Sequence, residues 1–190
     1  MTRPAVAIAL VHHPVVDRRG DRVTSAVTNL DIHDLARTAR TYSVDRVYLV
    51  TPLAEQQQLV DRILQHWRQG HGASYNAKRA EALKLVTVAA SLDEALADWQ
   101  QVSGQQPWPV LTGAARQGGI TFRRCRELLA DQALLLVLGT GWGLAPELFE
   151  RGYTVLEPIV GAGDNYNHLP VRSAAAIMLD RLLGQRDAER

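Results

Sequence analysis

Apolar positions recur along this chain in two periods, one belonging to strands and one to helices. Residues 5–12 (AVAIALVH) run apolar without a break, as a parallel strand buried on both faces does. A polar loop covers residues 14–28. Residues 31–42 then place Ile32, Leu35, Ala36 and Ala39 on one helical face. Residues 46–51 read as a second buried strand. Residues 52–69 read as a second helix, with Leu59, Ile63, Leu64 and Trp67 as its inward stripe, and residues 70–76 break it. A third strand at 85–89 precedes Ser91 and Glu94, a capping box that opens a helix to residue 102. Residues 109–112 form a fourth strand, 113–120 a glycine-containing loop, and Thr121 caps a helix reaching Leu129. Residues 133–138 (ALLLVL) are the most apolar strand, followed by a glycine loop at 139–143 and a short helix at 146–151. Residues 154–159 supply a sixth strand and 160–168 a loop rich in Gly and Asn. Pro170 starts a last helix to Leu183, its missing donor harmless in a first turn.

Six strands alternating with helices imply one α/β domain over residues 1–190: a mostly parallel six-stranded sheet with helices on both faces. At 46% hydrophobic and 22% charged residues, the composition is that of a folded chain, not a disordered one. No apolar run reaches the roughly 18 residues of a membrane helix, and the first twenty residues read as a strand rather than a signal peptide. The lone Cys125 excludes an internal disulfide framework and a cysteine zinc cage. The expectation is a cytoplasmic protein without membrane or metal. Its 21 basic and 20 acidic residues nearly cancel, but nineteen of the basic ones are arginine, and twelve basic face eight acidic residues before residue 89. Arginine suits phosphate; codon bias is the simpler reading of that excess on its own.

Ligands of open α/β sheets bind beyond the carboxyl ends of the strands. Three such loops are unusual: 111–114, 139–143 and 161–168. Their glycines let backbone approach a ligand closely, and a nucleoside-shaped ligand suits them. The loop at Gly139 invites a dinucleotide reading, although Leu144 stands where the third glycine of that fingerprint belongs. Glu157, eighteen residues on, is the candidate ribose acid, so a NAD-type oxidoreductase stays open as an alternative. His12 and His13 read as loop histidines, and His66 and His71 have no metal-ligand spacing. Arg123, Arg124 and Arg126 read as a solvated or RNA-facing surface.

The segment from Asp31 to Val50 carries Arg37-Thr38-Ala39 on a helix, then Ser43-Val44-Asp45 and an apolar strand. It resembles the first motif of SPOUT-class RNA methyltransferases, in their ribose-methylating branch. Leu136 to Leu148, through Gly139-Thr140-Gly141-Trp142-Gly143 and Pro146-Glu147, resembles the second motif. Glu157 to Gly161 and Leu169 to Leu179 resemble the third. The chain departs from the ribose-methylating pattern at five places. Asp31 stands for an asparagine and His33 for a glycine. Pro170 and Arg172 stand for asparagine and serine, and the second loop is one residue short and lacks its glutamate.

The resemblance implies a C-terminal α/β (trefoil) knot holding S-adenosylmethionine, and an RNA methyltransferase acting on a ribose or base of tRNA or rRNA. Its cofactor residues are Leu111, Thr112 and Gly113 in one loop, then Leu138, Gly139, Thr140, Gly141, Trp142, Gly143 and Leu144 in the second. Ile159, Val160, Gly161, Tyr166, Asn167, His168, Leu169, Val171 and Ser173 complete them. Arg37 is the candidate activator of the acceptor, Asp164 a general base or holder of the cofactor's amino group, and Arg172 a partner of cofactor carboxylate or substrate phosphate. Arg18, Arg19 and Arg22, in the loop after the first strand, are the candidate RNA contacts. The resemblance further implies a homodimer through the knot and last helix. A non-catalytic knot protein that binds RNA or cofactor is the remaining alternative.

Overall fold

A computed structural model describes residues 3–116, 118–163 and 166–185. Its main sheet has six parallel strands in the order β5-β4-β1-β7-β6-β8. These are β1 (Val6–Val11), β4 (Arg46–Val50), β5 (Val86–Ala89), β6 (Pro107–Leu111), β7 (Ala133–Gly139) and β8 (Thr154–Val155). β1 is central, with Ile8 level with Val47 on one side and Leu136 on the other. Every residue of β1 is buried, which is why no polar residue interrupts that stretch of sequence.

The alternation of side chains along β1 divides the core in two. Val6, Ile8 and Leu10 face α1 (Asn29–Thr41), α2 (Ala54–Arg68), α4 (Ala77–Leu83), α6 (Phe122–Leu128) and α8 (Val171–Leu183). Ala7, Ala9 and Val11 face α5 (Leu92–Ser103) and α7 (Pro146–Phe149). The small alanines leave room for Trp99, whose Nε1 donates to the Ala133 carbonyl at 3.3 Å. They also accommodate Tyr48, whose hydroxyl donates to Asp98 at 2.6 Å. The chain leaves β5 at one edge, crosses by way of α5 to β6, and returns through α6 to place β7 between β6 and β1. That crossover brings the loops after β6, β7 and β8 to one end of one half of the sheet.

The expected caps are present: Ser91 Oγ accepts from Glu94 N, and Thr121 Oγ1 from Arg124 N, both at 3.1 Å. Ser43, where the methyltransferase motif has glycine, holds a left-handed backbone with φ 57°.

The structure corrects the sequence-based elements at several places. The 14–28 loop contains a hairpin of β2 (Val15–Val16) and β3 (Arg22–Val23), strands too short to give a period. Residues 70–84 hold α3 (His71–Tyr75) and α4, the latter started by the Asn76 side chain accepting from Arg79 N. Leu59 is exposed, and Val60 takes the inward place assigned to it. β6 begins earlier than expected, at Pro107. Its two prolines lie where β8 does not pair with it, a place that needs no donor on that side. β8 is only two residues long because the chain turns away at Leu156 to cap α6.

That cap is made by Glu157, whose Oε1 accepts from Phe122 N at 2.7 Å. Glu157→Ala therefore lowers the unfolding free energy by about 1 kcal/mol, while Glu157→Gln, which keeps an acceptor oxygen, retains most of the stability in urea titrations.

Candidate active site

The glycine loop after β7 folds back onto the hairpin after β1. Trp142 N donates to the Val16 carbonyl and Val16 N to the Gly143 carbonyl, both at 3.0 Å, and Ala145 N donates to the Pro14 carbonyl at 3.2 Å. Val15 and Leu144 form an antiparallel bridge. The reversal needs glycine at two points. A Cβ on Gly139 would lie 2.7 Å from Leu144 N, and Gly141 has φ 60°.

Beneath this loop runs a chain of hydrogen bonds with one self-consistent set of proton positions. Thr140 Oγ1 donates to the Val11 carbonyl at 3.0 Å. Its single proton thus spent, it accepts from Ser25 Oγ. Ser25 in turn accepts from His12 Nδ1 at 2.9 Å. His12 is a neutral imidazole with its proton on Nδ1, fully buried, and its Nε2 has no partner among the described residues. Burial pushes its pKa down to about 4, against a smaller opposing pull from the nearby Asp31 carboxylate.

The three glycine-containing loops converge. Asn167 Nδ2 donates to the Ala114 carbonyl at 3.1 Å, tying the loop after β8 to the loop after β6. The His168 ring lies 6.4 Å from that of Trp142, meeting the loop after β7. Among the sequence-assigned cofactor residues, Leu111, Leu138, Leu144 and Ile159 bury their side chains in the core, so they offer only main chain to a ligand. The Thr112 hydroxyl is committed to the Val137 carbonyl at 3.0 Å. Gly113 sits against the stem of Arg116, and Val171 packs on the core at the start of α8. Ser173 N donates to the Pro170 carbonyl in the same turn. Trp142, Val160, Gly161, Tyr166, His168 and Leu169 are exposed. A Cβ on Gly143 would meet nothing within 4 Å, and one on Gly161 only the Tyr166 carbonyl at 3.9 Å. The main chain at Gly143 and Gly161 is thus unobstructed on the side a Cβ would occupy. Asp164 lies outside the described residues.

The charged candidates divide into two groups. Arg172, in the first turn of α8, lies 3.7 Å from Asp31 and 3.5 Å from Asp34 of α1. Asp31 is itself buried and accepts from the Thr28 hydroxyl at 2.6 Å. Arg37 is exposed and 3.9 Å from the other oxygen of Asp34. Arg18 and Arg19 are exposed at the tip of the β2–β3 hairpin, whereas Arg22 is engaged by Glu147 at 3.2 Å and His13 at 3.1 Å. Of the helix arginines, Arg126 ties α6 to α8 and the other two lie on the surface. Arg126 donates to the Arg181 and Gly184 carbonyls at the end of α8, and Arg123 and Arg124 pair with Glu127. Cys125 is a core thiol, raised to about 12 by burial. Among the described residues no His, Cys, Asp or Glu cluster could hold a metal ion, and no helix is long and apolar enough to cross a membrane. The sequence did not single out Ser25 and Asp34, and it read His12 as a loop residue. The one available signal was that the apolar run of β1 ends on a histidine.

The fold, a parallel sheet with helices on both faces, is shared with solved SpoU/TrmH methyltransferases. The SpoU methyltransferase AviRb from Streptomyces viridochromogenes, solved with AdoMet, matches all of this chain and 61% of its own (TM-score 0.56, 16% identity). The TrmH/SpoU tRNA modifying enzyme from A. aeolicus matches 98% and 77% (TM-score 0.55, 16% identity). Residues 5–184 match the family model of SAM-dependent RNA methyltransferases, and the chain belongs to that family. A tRNA (guanine-N(1)-)-methyltransferase from Oleidesulfovibrio alaskensis is 43% identical over 176 residues, covering 93% of this chain and 41% of that protein. An uncharacterised protein from Aquifex aeolicus is 37% identical over 188 residues, covering 97% and 91%. The chain thus spans less than half the length of the first of these relatives.

His12 gives this site an acid sensitivity. Between pH 6.5 and 4 the unfolded chain binds a proton on His12 that the folded chain excludes, so stability falls as pH falls. From pH 7 to pH 5 the parent should lose about 2 kcal/mol more unfolding free energy than His12→Gln. Equal losses in urea titrations at the two pH values would show that His12 is not held neutral.

Proposed function

We propose that this chain binds S-adenosylmethionine among the loops after β6, β7 and β8 and methylates a ribose or base of tRNA or rRNA. The observation that carries this reading is the convergence of those loops, joined through Asn167 to Ala114 and through His168 to Trp142. Main-chain groups of residues 111–113, 138–144 and 159–161 surround the adenosine. Residues 166–173, with Asn167 at their centre, close the site. The knot implied by the sequence resemblance is part of the same proposal. Bound S-adenosylmethionine supplies a methyl on a sulfonium; the protein's task is to bring an acceptor lone pair in line with it.

Arg172, steadied by Asp31 and Asp34, offers its guanidinium to the cofactor carboxylate or a substrate phosphate. Arg37 stands one helical turn beyond Asp34, and with Asp164 it completes the proposed acceptor-activating groups. The guanine-N(1) specificity named for the Oleidesulfovibrio relative belongs to a protein of which this chain matches 41%. The acceptor atom is therefore not carried over. A NAD-type reading is disfavoured by Glu157, which is committed to capping α6.

The dimer is likewise a proposal. α8 buries Ala175, Met178, Leu179 and Leu182 within its own subunit, so its apolar excess is largely satisfied there. What remains for a partner is exposed Leu30 and Leu169 beside the first turns of α1 and α8.

Two experiments test the reading. Gly161→Val fills open space without backbone strain, and Gly141→Val forces a branched residue to φ 60°. Each should weaken S-adenosylmethionine binding roughly tenfold or more by calorimetry in protein that still unfolds cooperatively. Unchanged affinity in both variants overturns the cofactor site. Replacing Arg18 and Arg19 by Ala should weaken RNA binding at low salt and flatten its salt dependence, leaving cofactor affinity unaltered. A parental salt slope removes the hairpin from the RNA surface.

A further inference from the structure

Three rings on two of the site loops stand in solvent. Trp142 is 67% exposed and Tyr166 75%, large values for residues of this size. His168, also exposed, neighbours both, its ring 6.4 Å from Trp142 and tilted by 43°, and 6.3 Å from Tyr166 and edge-on to it at 77°. The Trp142 face is thus the stacking surface, and the other two rings border it. The Trp142 main chain is bonded to Val16, and Arg18 follows two residues later, within about 7 Å of backbone. Arg19 is next to it. The Asp17 carboxylate organises this turn, accepting from Arg19 N at 2.8 Å and Asp21 N at 3.0 Å.

We infer that Trp142, His168 and Tyr166 form a stacking platform for an unpaired base of the RNA substrate, with Arg18 and Arg19 holding the phosphates beside it. The inference rests on the proposed RNA methyltransferase activity and specifies the form in which its substrate is taken: unstacked and single-stranded. Unpaired bases stack on aromatic side chains in a way that no duplex permits, because the π-faces of paired bases are already covered. Arg18 and Arg19 present two exposed guanidiniums that a polynucleotide backbone can engage, with Asp17 and Asp21 in the same turn. The area also suits a nucleotide. Three partly exposed rings present on the order of 400 Å², about half of what each partner of a standard protein interface buries. On this reading the side chains of Trp142, Tyr166 and His168 face RNA. The cofactor uses only the main chain of their loops.

The test uses the full chain with a hairpin RNA carrying an unpaired loop and a fully paired RNA of equal length. Trp142→Ala should lose about tenfold in affinity for the hairpin. Its affinity for the duplex, its salt slope and its S-adenosylmethionine affinity should match the parent's. Trp142→Phe should restore most of the loss, and Tyr166→Ala should show a smaller loss of the same kind. Equal hairpin affinity in parent and Trp142→Ala overturns the platform. So does weaker cofactor binding with RNA binding intact, which returns the ring to the cofactor pocket. A change in sedimentation of Trp142→Ala also overturns it, assigning the patch to a second copy of the chain. If the parent itself binds neither RNA, the broader methyltransferase reading fails instead, which separates the two outcomes.

Discussion

A parallel strand buried on both faces can meet a ligand only at its ends, and β1 imposes that condition on the whole molecule. β4 and β7 flank it, helices cover both of its faces, and its last residue opens directly onto His12. A group of polar side chains is accordingly gathered at the rim where β1 ends. The Thr140 hydroxyl reaches back to the Val11 carbonyl, Ser25 bridges to His12, and the glycine loop lies across the hairpin through Val16. The glycine loop is thus held from below by strand β1 and from the side by β2. A flexible-looking run of Gly139, Gly141 and Gly143 becomes a defined surface. Glycine here supplies shape rather than mobility: the loop is tight at Gly139 and open at Gly143.

The same rim explains why two departures from the ribose-methylating pattern belong together. Asp31 replaces an asparagine and Arg172 a serine, and the two side chains face one another at 3.7 Å across α1 and α8. Asp31 without Arg172 would be a buried carboxylate lacking its counter-ion, which is costlier than a neutral group there. Made together they exchange two neutral groups for an ion pair, with Asp34 as a second anion at 3.5 Å. The guanidinium thus arrives at the site oriented but shared among carboxylates. Such a group suits anion positioning more than proton abstraction.

Much of this was legible in the sequence, for identifiable reasons. Long apolar runs such as residues 133–138 and capped helices such as that opened by Ser91 carry their own signals, and the six-stranded sheet followed from them. Family motifs pointed to the three loops. What escaped detection lacked periodicity. The two-residue strands of the hairpin are held by Val16 pairing with a loop 126 positions away from it in sequence at Trp142. α4 is seven residues long, with small Ala80 and Ala82 marking its inward face. The buried role of His12 depends on Ser25, 13 residues on, and on Thr140, which joins Ser25 from 115 residues further along the chain. Side-chain direction was also beyond sequence reading. Leu111 and Leu138 lie at the ends of β6 and β7 and Leu144 and Ile159 in the loops that follow, and all four point into the core.

That last distinction separates two tasks within one set of loops. A cofactor recognised through main chain places few demands on side-chain identity beyond small size and a fixed backbone path. The buried leucines and Ile159 secure that path by anchoring each loop in the core. On the proposed reading, outward side chains on the same loops, Trp142 and His168 among them, serve the acceptor without disturbing the cofactor's hold. A fold divided in this way can keep one methyl donor while its RNA-facing side chains change. Shared identity of 43% over a matched segment is accordingly stronger grounds for a common donor than for a common acceptor atom.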